Sequence, residues 1–455
     1  MDFFKRFSNY AIFFCIAWCF GTINNYQEYK PSGEYSIFRS DQFAYYAFLP
    51  ATFIYHDLDY KFVDDLPENK PQCFWPTITP EGKKVNKTTM GMAILLSPAF
   101  LSAHISAYFE KKPQTGYSRP YRQAMFISTL IFHLLSLILL RKVLSRYYKD
   151  IVVGFTLISV SLGTNLFFYV VHETIMAHAY NFFMFSLFLY WTLRWYDTLR
   201  FKYMAGLGIL LGLIALVRPT NIIIGLFFLL YDIKNGNSFK NRFVLFAKKW
   251  SQILPATVLS LAVIFPQLYL WKITTGHWIF NSYGEGERFF WSDPMFYEGL
   301  FGYGKGWFLY APMMFLAILG FLAVKKYASE FFLPLAIYVP LNIYIVLSWW
   351  SWWYGGGFGL RAFVEAAAPL SLCLAAFIAQ ILSIPNKYFR FTAFLPIVFF
   401  IFLNIFQIYQ YKRPYIRWYG TTEEMYWRVF LRSEIPPEER DEIFNLAKDP
   451  KRETK

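Results

Sequence analysis

Four short strings hold most of the side chains that could do chemistry. The first is Ser40-Asp41-Gln42-Phe43-Ala44-Tyr45-Tyr46, running on to Leu49-Pro50, shortly after the first apolar run of membrane length. A carboxylate in an aromatic segment at a membrane surface is well placed to act on a lipid-borne substrate. Helical spacing would put Asp41 and Tyr45 on one face. Asp57 and Asp59 follow in Tyr55-His56-Asp57-Leu58-Asp59-Tyr60, where acids more often cap a helix or face solvent. The second string is His172-Glu173, with His178 and Asn181 after it. Histidine and glutamate can ligate a metal, but hydrogen bonding at a helix start is their commoner use, and no metal is assigned. The third is Phe301-Gly302-Tyr303-Gly304-Lys305-Gly306-Trp307-Phe308. Its glycines allow close backbone approach to a ligand, and Lys305 could meet a phosphate. The fourth runs from Trp349 through Trp353-Tyr354-Gly355-Gly356-Gly357 to Arg361, with Glu365 beyond. Flat aromatic faces suit sugar rings or lipid chains, and the guanidinium fork suits a phosphate. A plain interfacial belt accounts for the tryptophans; it does not account for a glycine run ending in arginine.

The elements that must carry these strings are membrane helices. The 455 residues are 56% hydrophobic, 22% aromatic and 16% charged, where a soluble domain is about one quarter charged. A span needs about 20 apolar residues. Candidates lie at 8–23, 122–140, 151–170, 177–193, 250–271, 306–324, 330–348, 362–383 and 391–410, and a hairpin over 203–217 and 219–231 breaks at Arg218-Pro219-Thr220-Asn221. The fold class expected is an all-α polytopic membrane protein of about 11 transmembrane helices. The first run follows Lys5 and Arg6 and has no small-x-small cleavage site, so it reads as a retained anchor.

Charge sets the sides. The net charge is +14, and much of it lies in the short loops 141–150, 194–202, 232–249, 325–326 and 386–390, as the positive-inside rule expects. No nucleic-acid-binding module accompanies that charge, so nucleic acid is not an expected partner. For these loops to share the cytoplasmic side, the apolar stretch 90–109 cannot cross, and should lie along the outer surface as an interfacial helix. The long outer loop is then 24–121. The domain reading is a membrane-embedded unit over 1–410 and a short charged tail over 411–455, a small outer appendage or a partly disordered one. Cys15, Cys19 and Cys373 fall in spans and Cys73 in a polar loop, with no metal-like spacing. Ionisable residues deep in the spans are few, chiefly His133 and Glu365. That scarcity argues against an ion-coupled carrier.

Four features in this order carry a family resemblance: Ser40-Asp41 with Tyr45-Tyr46 and Leu49-Pro50; Gly163-Thr164-Asn165 leading to His178-Ala179-Tyr180; Gly304-Lys305-Gly306 to Ala311-Pro312; and Trp353-Tyr354-Gly355-Gly356 to Arg361. Over most of residues 1–410 the chain resembles the GT-C superfamily of membrane glycosyltransferases, particularly the bacterial protein-mannosyltransferase and aminoarabinose-transferase groups. The resemblance implies transfer of a sugar, with inversion, from a polyprenyl-phosphate carrier to an acceptor on a lipid, glycan or protein, at the outer face of a bacterial-type inner membrane. It implies Asp41 as general base, and Arg361, with Lys305 or Arg218, as the positive partner of the leaving phosphate. Tyr45, Tyr46, His172, His178, Trp353, Tyr354 and Glu365 would line the substrate. The chain departs from the family at one point: many relatives have two adjacent acids in the first outer loop, whereas Ser40 precedes Asp41 here. Either Asp41 works alone, or Glu173, or Asp57, is the candidate second acid. A flippase for a lipid-linked sugar, or a lipid-linked glycan ligase or polymerase, would use the same groove.

Overall fold

The computed structural model describes residues 6–29, 37–66, 74–284, 286–450 and 452. Lys5 and Cys73, which enter the expectations above, lie outside the described residues. In chain order the elements are α1 Phe7–Tyr29, α2 Asp41–Phe53, the two-residue strands β1 Thr77–Ile78 and β2 Lys84–Val85, α3 Gly91–Phe109, α4 Arg119–Leu144, α5 Asp150–Leu162, α6 Leu166–Val171, α7 Ala177–Thr198, α8 Phe201–Val217, α9 Gly225–Leu229, α10 Gly236–Lys248, α11 Trp250–Thr275, α12 Phe296–Phe301, α13 Trp307–Tyr310, α14 Pro312–Tyr327, α15 Phe332–Ser348, α16 Ala367–Leu382, α17 Lys387–Lys412, α18 Glu423–Val429 and α19 Pro437–Asn445. The strands pair antiparallel, Thr77 opposite Val85. Among the described residues six helices are long and apolar enough to cross a membrane: α1 over Phe7–Asn25, α3, α4, α11, Ser329–Ser348 and α17.

Side-chain ties give the bundle two distinct ends. At one end the Ser8 hydroxyl donates to Asp150 at 2.5 Å and accepts from Arg141 at 2.8 Å. This gathers the start of α1, the end of α4 and the start of α5. Tyr147 and Tyr231 share a hydrogen bond of 3.2 Å at the same end. At 1.5 Å per residue the 26-residue α4 is about 39 Å long, so its start lies at the other end. There the Tyr46 hydroxyl donates to the Gly116 carbonyl, and Arg361 meets Asp41.

Helix α3 has both ends at that second end. Thr89 donates to the Leu216 carbonyl at the close of α8, and the Met90 N–H donates to Gln267 near the close of α11. His104, toward the far end of α3, bonds Tyr121 at the start of α4. Although α3 has the length and apolarity of a span, it lies across one end of the bundle.

Close packing and broken helices have local causes. A Cβ on Gly212 would stand 2.5 Å from the Ser260 carbonyl, and one on Gly208 would strike Ala256. These two glycines, one turn apart, let α8 press its backbone on α11. The break between α5 and α6 frees carbonyls at Leu162 and Thr164, and the buried Asn404 amide of α17 donates to both, at 2.8 and 2.9 Å. Backbone freed inside a membrane bundle needs such a donor. The polar tail is packed rather than separate. The Tyr303 hydroxyl donates to Glu423 at 3.0 Å, and Gln407 of α17 donates to the Tyr426 hydroxyl at 2.8 Å. Trp418 comes within 3.4 Å of where a Gly356 Cβ would be. Buried Met425, Tyr426, Val429 and Ile443 tie the segment down.

Candidate active site

Asp41 is the first residue of α2. The residue before it, Ser40, has φ 54 and ψ −135, a left-handed setting that costs a non-glycine residue about 1–3 kcal/mol. That turn lifts the chain into α2 and presents the Asp41 side chain toward Arg361. The Arg361 guanidinium donates to Asp41 Oδ2 at 2.6 Å across 320 residues of sequence. The carboxylate is 37% exposed and the guanidinium 17%, so the pair borders open space. An ion pair this open contributes at most about 1 kcal/mol. Burial works against the charge on Arg361, and Asp41, then Tyr169, Tyr45 and Glu173, together more than restore it.

Two more charged groups converge here. Lys305 is buried and donates to the Gly357 carbonyl. Burial, reinforced by Arg361, pushes its ammonium down to about 7. Glu173 sits in the turn after α6, its Oε2 3.7 Å from where a Gly357 Cβ would stand. Burial pushes its carboxyl up, against the pull of Arg361, Arg39, Lys305 and Lys412. Gly357 thus lies between Lys305 and Glu173. It has φ +123, and a Cβ would approach the Tyr169 hydroxyl to 2.6 Å. Its N–H donates to the Tyr411 hydroxyl at 3.1 Å, and Tyr169 donates to the neighbouring Phe358 carbonyl at 3.2 Å.

Behind this layer is a buried polar knot. Glu365 accepts from Arg218 at 3.0 Å and from Asn221 at 3.0 Å, and its other oxygen lies 3.1 Å from His178 Nδ1. Glu365 and His178 are 2% and 3% exposed, so they brace the site from behind rather than line it. Arg218 also lies over the Tyr354 ring, 5.5 Å from its centre, so part of its fork is already committed.

The other expected residues separate into two groups. Tyr45 is half-buried on the Asp41 side; burial first, then Asp41, pushes its hydroxyl up, while Arg218 and Arg361 oppose the shift. His172 packs its ring on Phe168 at 5.5 Å, and burial, then Lys412, pushes it down to about 3. Trp353 sits half-buried beside Trp350 and Trp352. Besides His178 and Glu365, which brace the site instead of lining it, two further expectations are corrected. Tyr46 does not line a substrate path: it is fully buried, with its hydroxyl on Gly116 and its ring against Phe38 and Phe100. Asp57 is not a second acid at this site: its carboxylate is used locally, accepting from the N–H groups of Asp59 and Phe62 at 3.1 and 2.9 Å. Tyr169, Tyr411 and Asn221 were missed. Tyr169 stands in an apolar run with nothing to mark it, whereas Asn221 lies in the polar break after Arg218. Among the described residues no three His, Cys, Asp or Glu side chains group as a metal set would.

No protein-family model matches the chain, and no curated protein matches it by sequence. Among solved structures it is similar to the apo crystal structure of the Archaeoglobus fulgidus oligosaccharyltransferase, with a TM-score of 0.51 and 13% identity. The match covers 100% of this chain and 61% of that one, so the chain spans less than two thirds of its neighbour's length. The likeness is one of fold.

Proposed function

We propose that this chain is a GT-C-type membrane glycosyltransferase with 11 crossings. It moves a sugar from a polyprenyl-phosphate carrier to an acceptor hydroxyl at the outer face of a bacterial-type plasma membrane, and inverts the anomeric centre. What supports the reading most is one observation: Asp41 and Arg361 meet at 2.6 Å at the end of the bundle where Lys305 and Glu173 also converge. The fold likeness to the Archaeoglobus fulgidus oligosaccharyltransferase adds to it.

The chemistry assigns each group a task. The donor phosphate takes the fork of Arg361, which releases the Asp41 carboxylate for the acceptor hydroxyl. As that oxygen bonds to C1, its proton passes to Asp41. The bond from C1 to the phosphate oxygen breaks, and its electron pair leaves with the lipid phosphate. Arg361 and Lys305 stabilise that charge. Burial of Lys305 makes its interaction stronger than it would be in water. Glu173 is the second acid of this reading; it faces the cations and can balance them once the phosphate departs. His178, Asn221 and Glu365 hold Arg218 beside the phosphate path, and the half-buried Tyr354 and Trp353 offer faces to the sugar or the lipid.

The test uses full-length protein in detergent with a panel of polyprenyl-phosphate sugars, reading release of the carrier phosphate and labelled product. Asp41→Asn and Arg361→Ala should each lower kcat/KM by about a hundredfold or more, with normal accumulation in the membrane. Full activity in both variants would end this mechanism.

A further inference from the structure

The segment 232–249, expected only as a positive loop, contains α10, at the bundle end opposite Asp41. The helix has a self-contained start. Asn235 accepts from the Ser238 N–H at 2.9 Å and Ser238 accepts from the Asn235 N–H at 2.9 Å, a reciprocal cap that fixes where helix begins. No residue of α10 is fully buried. Its two faces differ sharply. Phe239, Phe243, Phe246 and the following Trp250 recur at spacings of four, three and four, which aligns them on one face. Asn241 and Lys248 lie on the opposite arc, with Val244 and Leu245 beside them; Lys240 and Lys249 flank the aromatic face on either side, and no Asp or Glu occurs within 233–249. Phe246 stacks on Phe228 at 5.5 Å, and Arg242 lies over the Tyr196 ring at 4.2 Å. These contacts dock the helix at the bundle, while Phe239, Phe243 and Trp250 remain open, Phe243 and Trp250 at 60% and 64%.

What covers that open face follows from its continuation. Trp250 begins α11, the membrane-length helix least buried by the protein. Its exposed Leu254, Val258, Leu261 and Phe265 extend the same apolar surface. Acyl chains that cover α11 therefore also reach Trp250, Phe243 and Phe239. A helix whose apolar face joins a lipid-facing surface, and whose flanks and far side carry lysines without acids, lies in the membrane plane.

We infer that α10 is an in-plane helix that binds the anionic phospholipid of the leaflet opposite the Asp41 end, with its phenylalanines among the acyl chains and Lys240, Lys248 and Lys249 on the headgroups. A juxtamembrane lysine is attracted to such a leaflet and to no neutral one. This inference does not depend on the glycosyl-transfer reading.

The test uses the full chain in nanodiscs of phosphatidylcholine, with and without phosphatidylglycerol. Cys15, Cys19 and Cys373 are buried, so a Cys73→Ser background allows nitroxides to be placed at Phe243→Cys and Asn241→Cys. The label at 243 should collide with oxygen and be shielded from a water-soluble nickel chelate, and the label at 241 should show the reverse. Equal access of the chelate to both would overturn the in-plane placement. Retention of phosphatidylglycerol, read by native mass spectrometry, should fall by about fivefold for each lysine removed in the series Lys240→Gln, Lys248→Gln, Lys249→Gln. Unchanged retention in the triple variant would overturn the anionic-lipid assignment.

Discussion

The charge on the ammonium of Lys305 is opposed by its surroundings. It is buried beside Arg361 and pushed down to about 7, so it is cationic below that pH and neutral above it. If it helps hold the donor phosphate, kcat/KM for the donor, which reports the free enzyme, should fall as pH rises through about 7. Lys305→Met should have a lower kcat/KM below about pH 7, approach the wild type above it, and lose that limb of the profile. An unchanged profile in the variant would assign the limb to another group. The string Gly304-Lys305-Gly306 already marked this lysine as unusual. Its burial could not be read there, because that depends on Gly357 from another segment. Asp57 and Tyr46 show the same limit from the other side. Both types suit chemistry, and local bonds took up both: one capping a turn, the other meeting the Gly116 carbonyl.

At the scale of elements, the loop before α16 positions the site. Gly357 combines φ +123 with a Cβ direction blocked by the Tyr169 hydroxyl at 2.6 Å, whereas Gly356 has only Trp418, at 3.4 Å, as its nearest neighbour. Gly357→Ala should therefore cost about 1–3 kcal/mol of stability, read as a lowered Tm in detergent, and should raise KM for the donor by displacing the carbonyl that holds Lys305. Gly356→Ala should change either quantity little. Equal, small effects of the two substitutions would show that the loop is free to adjust. The glycine run was visible in the sequence as an anomaly, and its position before Arg361 suggested a ligand-facing loop. Which of the three glycines is indispensable was not visible, since the deciding atom belongs to Tyr169 in an apolar run. Helix α3 and helix α10 contrast usefully. The first has the composition of a span and lies across one end of the bundle; the second has the composition of a loop and is an amphipathic helix.

At the scale of the whole molecule, sidedness decides what the site can reach. Eleven proposed crossings put the loop after α3 and the tail on one side, and α10 on the other. In intact cells an impermeant maleimide should label Gln114→Cys and Glu434→Cys, and should label Asn237→Cys only after permeabilisation. All three positions are exposed. Labelling of all three in intact cells would contradict the odd number of crossings proposed on each side of Asn237. By itself the sequence determined the membrane class, most helix positions and the strings where chemistry gathers. Apolar length, loop charge and residue type are local quantities, and local quantities are written in order along the chain. Only the tertiary structure decided which distant groups meet. The pairing of Asp41 with Arg361, the Glu365 knot that engages Arg218, and the burial that lowers Lys305 each depend on where separate helices end relative to one another. Packing between helices sets that, and no single stretch of sequence contains it.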